Sequence, residues 1–357
     1  MAEHTIVSPN KEVDVIIVGG GLTGCLLAFL LLQKNQSVFL IDKGQENASS
    51  SIAAGIINPV TGNQFIKSWN IDVFLPKAIE TYQQIEKKLN IKIVFEQNIV
   101  RHLPGVGAEN HWESRKLDPG YEKYICEQTD VSCFLNEVNL YGNYAEVTHS
   151  ARIDISLFIK TFKNNLLQQG FAWNEKFVFE NVILADNLVQ YRGIRAKNLI
   201  FCEGFSAVNN PFFVDLPFAL TRGYATTLRL ENSKIDKMFK DDLFLVPTGK
   251  DHFWVGGGYE NIKNPEMPPS EDVQDSKIDK LLCREYRIVE KKHAIRPTTK
   301  TRRPFMRQHK THPNMFLLNG MGTKGTSMAP FFTQKLAAYL CGESTDFPSE
   351  NDTSSPF

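Results

Sequence analysis

The chain has 357 residues, 42% hydrophobic and 22% charged, with 40 Lys plus Arg against 40 Asp plus Glu. That make-up suits a globular chain with room for one large or two interlocked domains. Zero formal charge excludes a global field that would draw in nucleic acid or an anionic membrane.

No apolar stretch approaches the ~20 residues of a spanning helix. The first dozen residues are polar and mixed rather than a signal peptide, so a cytoplasmic location is expected. The six cysteines (Cys25, Cys126, Cys133, Cys202, Cys283 and Cys341) form no C-x-x-C pair. They are expected as free thiols in a reducing compartment. His309 and His312 alone approach a metal-ligand spacing, and they sit in a Pro-containing loop. No metal site is expected.

The first predicted strand, residues 13–18, is an apolar run that ends at Gly19-Gly20-Gly21-Leu22-Thr23-Gly24. Leu26, Leu27, Leu30 and Leu31 follow at helical spacing. In G-x-G-x-x-G, Gly19 allows the tight turn, Gly21 lets a diphosphate approach the backbone, and Gly24 lets helix and strand pack closely. The N–H groups of Leu22 and Thr23 belong to the helix start, where the dipole favours an anion. A second strand, residues 37–41, ends at Asp42 and Lys43, and Asp42 lies 18 residues after Gly24. That is close to the ~20 expected of a carboxylate binding a ribose hydroxyl.

Further along, Ile71–Leu89 is predicted as an amphipathic helix, residues 91–95 and 99–103 as strands, and residues 104–120 as loop. Residues 144–148 lead as a strand into Asp154, a candidate N-cap for a helix over 155–169 that Gly170 ends. Residues 177–179, 182–184 and 188–191 alternate like a meander, and residues 199–202 form a short buried strand ending in Glu203-Gly204. Strands recur at 226–230, 243–246 and 253–255, and residues 277–290 are predicted helical. Residues 315–318 form another strand, followed by Gly320, Gly322 and Gly325 and a helix over 330–340. Segments of one nucleotide-binding sheet thus recur at the start, middle and end, with antiparallel segments between them. The expected division is a discontinuous nucleotide-binding domain (residues 12–70, 145–210 and 295–342) and a substrate domain (residues 71–144 and 211–294). Residues 343–357 would be a flexible tail.

Two strand–glycine–helix devices at opposite ends of the chain point to a long cofactor held at two places. FAD fits better than NAD, because its diphosphate and its ring system need separate supports. A helix N-terminus at the flavin pyrimidine edge would stabilise negative charge on the reduced ring, and Lys324 would add to it.

At this point the chain resembles the D-amino-acid oxidase superfamily of FAD-dependent oxidoreductases, with glycine oxidase and its relatives nearest in pattern. The resemblance runs over residues 13–340. Besides the two glycine motifs it rests on Ser49 to Pro59, Leu199 to Gly204, Thr221-Arg222-Gly223-Tyr224, Val255-Gly256-Gly257 and Ile295-Arg296-Pro297-Thr298. It implies an α/β fold with a Rossmann-type FAD-binding domain interleaved with a smaller antiparallel-sheet substrate domain. Ser50, Ser51, Ala53, Ala54 and Gly55 would run along the diphosphate and the flavin. Val178 would meet the adenine through its backbone, and Gly204 would let the chain pass the adenosine. Gly322, Thr323, Lys324, Gly325 and Thr326 would hold the pyrimidine edge. The loop carries no cysteine, so the FAD is expected to be non-covalent.

For the substrate the resemblance singles out Arg296, whose planar fork would grip a carboxylate and aim the adjacent C–H. Tyr259 falls at a substrate-lining position, with Arg222 and Tyr224 as secondary candidates. Two departures stand out: Phe244 where glycine oxidase carries a tyrosine, and Thr301 where the family usually has an acid. The expected reaction is oxidation of a C–N bond in an amino acid or secondary amine, by hydride transfer to flavin N5 and hydrolysis of the imine. Oxygen or a quinone would take the electrons. The alternatives are a tRNA-modification flavoprotein domain that trims a carboxymethylaminomethyl uridine, or a flavin-binding protein without turnover. The balanced charge speaks against a nucleic-acid partner.

Overall fold

The computed structural model describes residues 11–44, 48–185, 188–270 and 274–347. Residues 348–357 of the expected tail lie outside the described residues. The chain divides into two units of similar size. Unit 1 comprises Met1–Ser50, Ser156–Leu220 and Arg296–Phe357, and unit 2 comprises Ser51–Ile155 and Thr221–Ile295. The backbone therefore crosses from one unit to the other four times.

Unit 1 is built on an eight-stranded sheet. Its middle is strand β1 (Lys11–Val18), flanked by β2 (Val38–Ile41) and by the strand Ile194–Phe201, all parallel. Ala172–Trp173 extends the β2 side and Met315–Asn319 the other, again in parallel. Leu188–Tyr191 and Val182–Ala185 add an antiparallel meander, and Phe305–Gln308 adds an antiparallel edge. A parallel strand covered on both faces is apolar without alternation; Val15, Ile16, Ile17 and Val18 are all buried. Helix α1 (Leu22–Gln33) is apolar almost all round and packs against the last helix, Gly325–Leu340. The parallel strands end at Gly19, Asp42, Glu203-Gly204 and Gly320, on the carboxyl side where open α/β sheets take their ligands.

Unit 2 holds a second eight-stranded sheet. Its order is Glu260–Asn261, Thr221–Arg229, His252–Gly256, Phe244–Gly249, Met238–Lys240, Ile99–Leu103 and Asn143–Val147, with Arg287–Arg296 paired to Thr221–Arg229. The residues named as pairing across it are antiparallel, apart from the parallel contact of Met238–Lys240 with Ile99–Leu103. One face carries the apolar core: Val100, Phe134, Phe239, Leu245, Val255 and Ile278. Arg222, 2% exposed, reaches from this sheet to Glu260 Oε1 at 2.5 Å. It also donates to the carbonyls of Met267 and Pro268, so it fastens the loop after Glu260.

Four expectations need correction. Residues 104–120 contain a helix, Val106–Leu117, in which only Trp112 is buried, edge-on to Phe65. A helix with one buried side chain offers no apolar period to read. Residues 177–179 are not a strand. Phe177 stacks on Tyr191 at 4.3 Å, while Phe179 opens a single helical turn against Phe201 and Phe212. Helix ends at Leu281 within residues 277–290, and the sheet strand Arg287–Arg296 takes over. Its exposed charged residues are what an edge strand uses against further pairing. The last helix begins at Gly325 rather than Pro330.

Among the described residues no helix is long and apolar enough to cross a membrane. Arg222→Met removes the three side-chain bonds that Arg222 makes to its loop. Limited trypsin digestion is expected to cut after the exposed Lys263 several-fold faster than in the parent, and an unchanged rate would show that the loop does not depend on Arg222.

Candidate active site

In unit 1 the first glycine motif is set by close backbone approaches. Gly19 has φ +102°, and a Cβ there would lie 2.4 Å from the carbonyl oxygen of Cys202. A Cβ on Gly24 would lie 1.9 Å from the carbonyl oxygen of Gly19. Neither position admits a side chain. Gly21 caps α1 with no side-chain hydrogen bond, and the first turn holds no acid. Ser50 Oγ accepts from the Leu22 N–H at 3.1 Å. A helix start with no acid in its first turn and no side chain on its N-cap residue leaves room for an incoming diphosphate. Thr23 lies in the same first turn.

Asp42 follows β2 and faces Gly20, where a Cβ would lie 2.9 Å from its carboxylate. It forms an ion pair with Lys163 of the helix Ile155–Gln168. The carboxylate keeps lone pairs for ribose hydroxyls, and Lys163 holds it in place. Lys43 comes next in the chain and lowers the buried Glu203 electrostatically. Glu203 ends the Ile194–Phe201 side of the site and accepts from Asn210 Nδ2 at 2.7 Å. Burial outweighs that bond and pushes its carboxyl up to about 7. Gly204 follows at φ +60°, its carbonyl accepting from Asn319 Nδ2 at 2.8 Å. Val178 uses both backbone groups inside unit 1: its N–H donates to Tyr191 Oη and its carbonyl accepts from Asn181.

The second glycine loop closes on the Arg296 segment. Gly320 has φ +81°, and its Cβ would lie 2.7 Å from Thr299 Cγ2. Gly322 has φ +56° and faces Thr298. Gly322–Lys324 make one 3-10 turn that runs into the last helix, where Thr326 is buried. A Cβ on Gly325 would sit 3.9 Å from Leu22 Cδ2, so the two helix starts lie side by side. Burial, then Arg302 and Arg303, lower the Lys324 ammonium. Arg296 is half-buried, and its carbonyl accepts from Thr298 N–H at 2.8 Å. Thr301, at the place of the missing acid, accepts from Arg303 N–H at 3.3 Å and caps the turn.

Ser51, Ala53, Ala54, Gly55 and Tyr259 belong to unit 2. The carbonyl of Ile52 accepts from Trp254 Nε1 at 2.8 Å. Gly55, φ +72°, passes so close to Ile153 that a Cβ would lie 1.8 Å from its carbonyl oxygen. Tyr259 is 57% exposed. Tyr224 Oη lies 3.0 Å from Ser270 Oγ.

Sequence reasoning missed Lys163, Trp254 and Glu203. Only Glu203 left a trace, as an acid at the end of an apolar strand. Its ordinary carboxyl value near 4.5 applies to the unfolded chain and about 7 to the folded one. The folded state therefore holds the extra proton between those values, and stability falls as pH rises through that window. In the ligand-free chain, urea unfolding is expected to lose about 3 kcal/mol between pH 4.5 and 7 from this group. Glu203→Gln is expected to flatten that slope; an unchanged slope would place its cause elsewhere.

Comparison with known proteins matches residues 14–340 to the family described as FAD dependent oxidoreductase. Glycine oxidase from Geobacillus kaustophilus superposes with a TM-score of 0.78 at 17% identity, over 94% of this chain and 96% of that one. Iminodiacetate oxidase from Chelativorans sp. BNC1 gives 0.75 at 16% identity, over 94% and 98%. A stretch of 147 residues, 41% of this chain, is 27% identical to the tRNA 5-methylaminomethyl-2-thiouridine biosynthesis bifunctional protein of Shewanella sediminis (strain HAW-EB3). That stretch covers only 18% of the bifunctional protein's length. The two structural likenesses bear on the fold, which is the mixed α/β fold of glycine oxidase. The family match spans nearly the whole chain: this protein belongs to the FAD dependent oxidoreductases, with FAD as its cofactor.

Proposed function

We propose that the chain oxidises the C–N bond of a carboxylate-bearing amine, an amino acid or an N-substituted glycine. The observation that carries this is the packing of Thr298 and Thr299 on the Gly320–Gly322 turn. It sets the Arg296 backbone two residues along the chain from the segment that packs on the loop assigned to the flavin.

The residues of unit 1 fit FAD. Gly19, Gly21, Leu22, Thr23, Gly24 and Ser50 would hold the diphosphate, Asp42 the ribose, and Lys43 and Gly204 the adenosine end; the Val178 N–H already donates to Tyr191 Oη, which leaves the adenine only its carbonyl's second lone pair. Gly322, Thr323, Lys324, Gly325 and Thr326 would hold the pyrimidine edge. When bound, FAD supplies the hydride acceptor. Arg296 grips the substrate carboxylate through two parallel N–H bonds, which fixes the C–H to be broken. The helix start at Gly325 and the Lys324 ammonium oppose negative charge that develops beside them. The amine must be neutral to release its hydride, and water then hydrolyses the imine. Oxygen or a quinone reoxidises the enzyme.

A second reading follows from the relative that acts in tRNA 5-methylaminomethyl-2-thiouridine biosynthesis. A carboxymethylaminomethyl uridine is also a secondary amine with a carboxylate, and Arg296 would serve it equally. Salt-dependent binding of tRNA with the steep slope of phosphate contacts would select this reading; its absence would select a free small molecule.

Arg296→Met tests the leading reading. Losing a bidentate charge-assisted contact is expected to lower kcat/KM for N-methylglycine about 100-fold, with FAD content unchanged. The variant's residual rate on methylamine, which lacks the carboxylate, should equal the parent's. An equal loss on both substrates would contradict a carboxylate-binding role.

A further inference from the structure

Three neighbouring parallel strands of unit 1 end beside one another, and two of the ends carry an acid. Strand β1 runs into the glycine turn of residues 19–24, β2 into Asp42 and Lys43, and Ile194–Phe201 into Cys202 and Glu203. The acids flank the turn. Asp42 faces Gly20, and the Glu203 Cα lies 3.1 Å from the place of a Cβ on Gly19.

Their partners differ. Asp42 is neutralised by its ion pair with Lys163. Glu203 is largely buried and receives one hydrogen bond, from Asn210 Nδ2 to Oε2 at 2.7 Å. Asn210 has a fixed orientation, because its Oδ1 accepts from the N–H groups of Phe212 at 2.9 Å and Phe213 at 3.3 Å. Among the described residues Glu203 Oε1 has no hydrogen-bond partner, and no cation forms an ion pair with the carboxyl. Lys43, from the end of β2, acts on it through space only.

The other groups around Glu203 add no positive charge. The Cys202 thiol precedes it, and the Cys25 thiol of α1 lies near Cys202 and bonds the Gly20 carbonyl. Burial holds both thiols far above their ordinary value, so they stay neutral. Asn319, from the end of the next strand, binds the Gly204 carbonyl and carries no charge. A carboxyl withdrawn from water, with one neutral donor and no paired cation, favours its protonated form. A diphosphate held by the turn and the start of α1 would place two negative charges beside this acid. A neutral Glu203 tolerates them, and an ionised one repels them.

We propose that FAD binding is coupled to a proton on Glu203, so that the chain holds its cofactor more tightly with this carboxyl neutral than with it ionised. The device is a pH-sensitive lock on the cofactor, and it goes beyond the amine oxidation proposed above. In the free chain the carboxyl titrates at about 7. Bound diphosphate raises that value further. Above it, binding takes one proton from solution and dissociation returns it. Affinity is therefore level at lower pH and falls by up to about tenfold per pH unit above pH 7.

The test is dissociation of the holoenzyme on serial dilution at pH 6 and pH 8. Released FAD is read from its fluorescence against free FAD at the same pH, and far-UV circular dichroism is recorded alongside. The Kd for FAD is expected to be about tenfold higher at pH 8 than at pH 6. Glu203→Gln keeps a neutral group at the site and should bring that ratio to about one, at the tighter value. Glu203→Ala should also give a ratio of about one, and it decides if the Gln variant fails to fold. A parent ratio of about one, or a tenfold ratio that survives in either variant, would overturn the proposal. So would a loss of the far-UV signal on release at pH 8, which would assign the pH effect to unfolding. The readout is cofactor binding, so it stands or falls separately from the identity of the substrate.

Discussion

The backbone of β1 can turn into α1 only because two side chains are missing. Gly19 passes the Cys202 carbonyl, and Gly24 passes the Gly19 carbonyl, at distances no Cβ tolerates. These approaches lock the end of β1 to the end of its neighbour Ile194–Phe201 and draw α1 down onto the sheet. Because β1 pairs along its whole length with Ile194–Phe201, the turn inherits the rigidity of the sheet centre. The second glycine loop, at Gly320, lies beyond Met315–Asn319, which pairs on that same neighbour. The two helix starts therefore end up side by side as a consequence of strand order. Two positive dipole ends in one place favour an anionic, extended ligand, and FAD is one.

Electrostatics within each unit follow from that placement. In unit 1, Lys324 with Arg302 and Arg303 gathers positive charge near the second loop, and the buried acid that stands out, Glu203, is pushed toward its neutral form. In unit 2 the buried Arg101 donates to the carbonyls of Val60 and Gly62, and the likewise buried Arg222 to Glu260 and two carbonyls; both tie distant segments to the sheet.

The glycine motifs, Asp42, the first helix and Ile71–Leu89 were legible in the sequence because each shows as a pattern of residue types within about one helix length. The FAD cofactor was legible too, from the pair of strand–glycine–helix devices. What escaped depends on contacts between distant segments. Lys163 meets Asp42 across 121 residues and Trp254 meets Ile52 across 202; no local pattern announces either. The helix expected over 277–290 overruns into the first four residues of the strand Arg287–Arg296, whose solvent face is charged, and the helix Val106–Leu117 is missed because it buries one side chain.

The most direct measurement is the visible spectrum of the purified protein, recorded before and after anaerobic addition of N-substituted glycines, followed by acid precipitation. The account predicts a yellow protein whose flavin band bleaches with a carboxylate-bearing amine and whose FAD is released into the supernatant. A colourless chain that cannot be reconstituted with FAD, or a bound flavin that no such amine reduces, would contradict it.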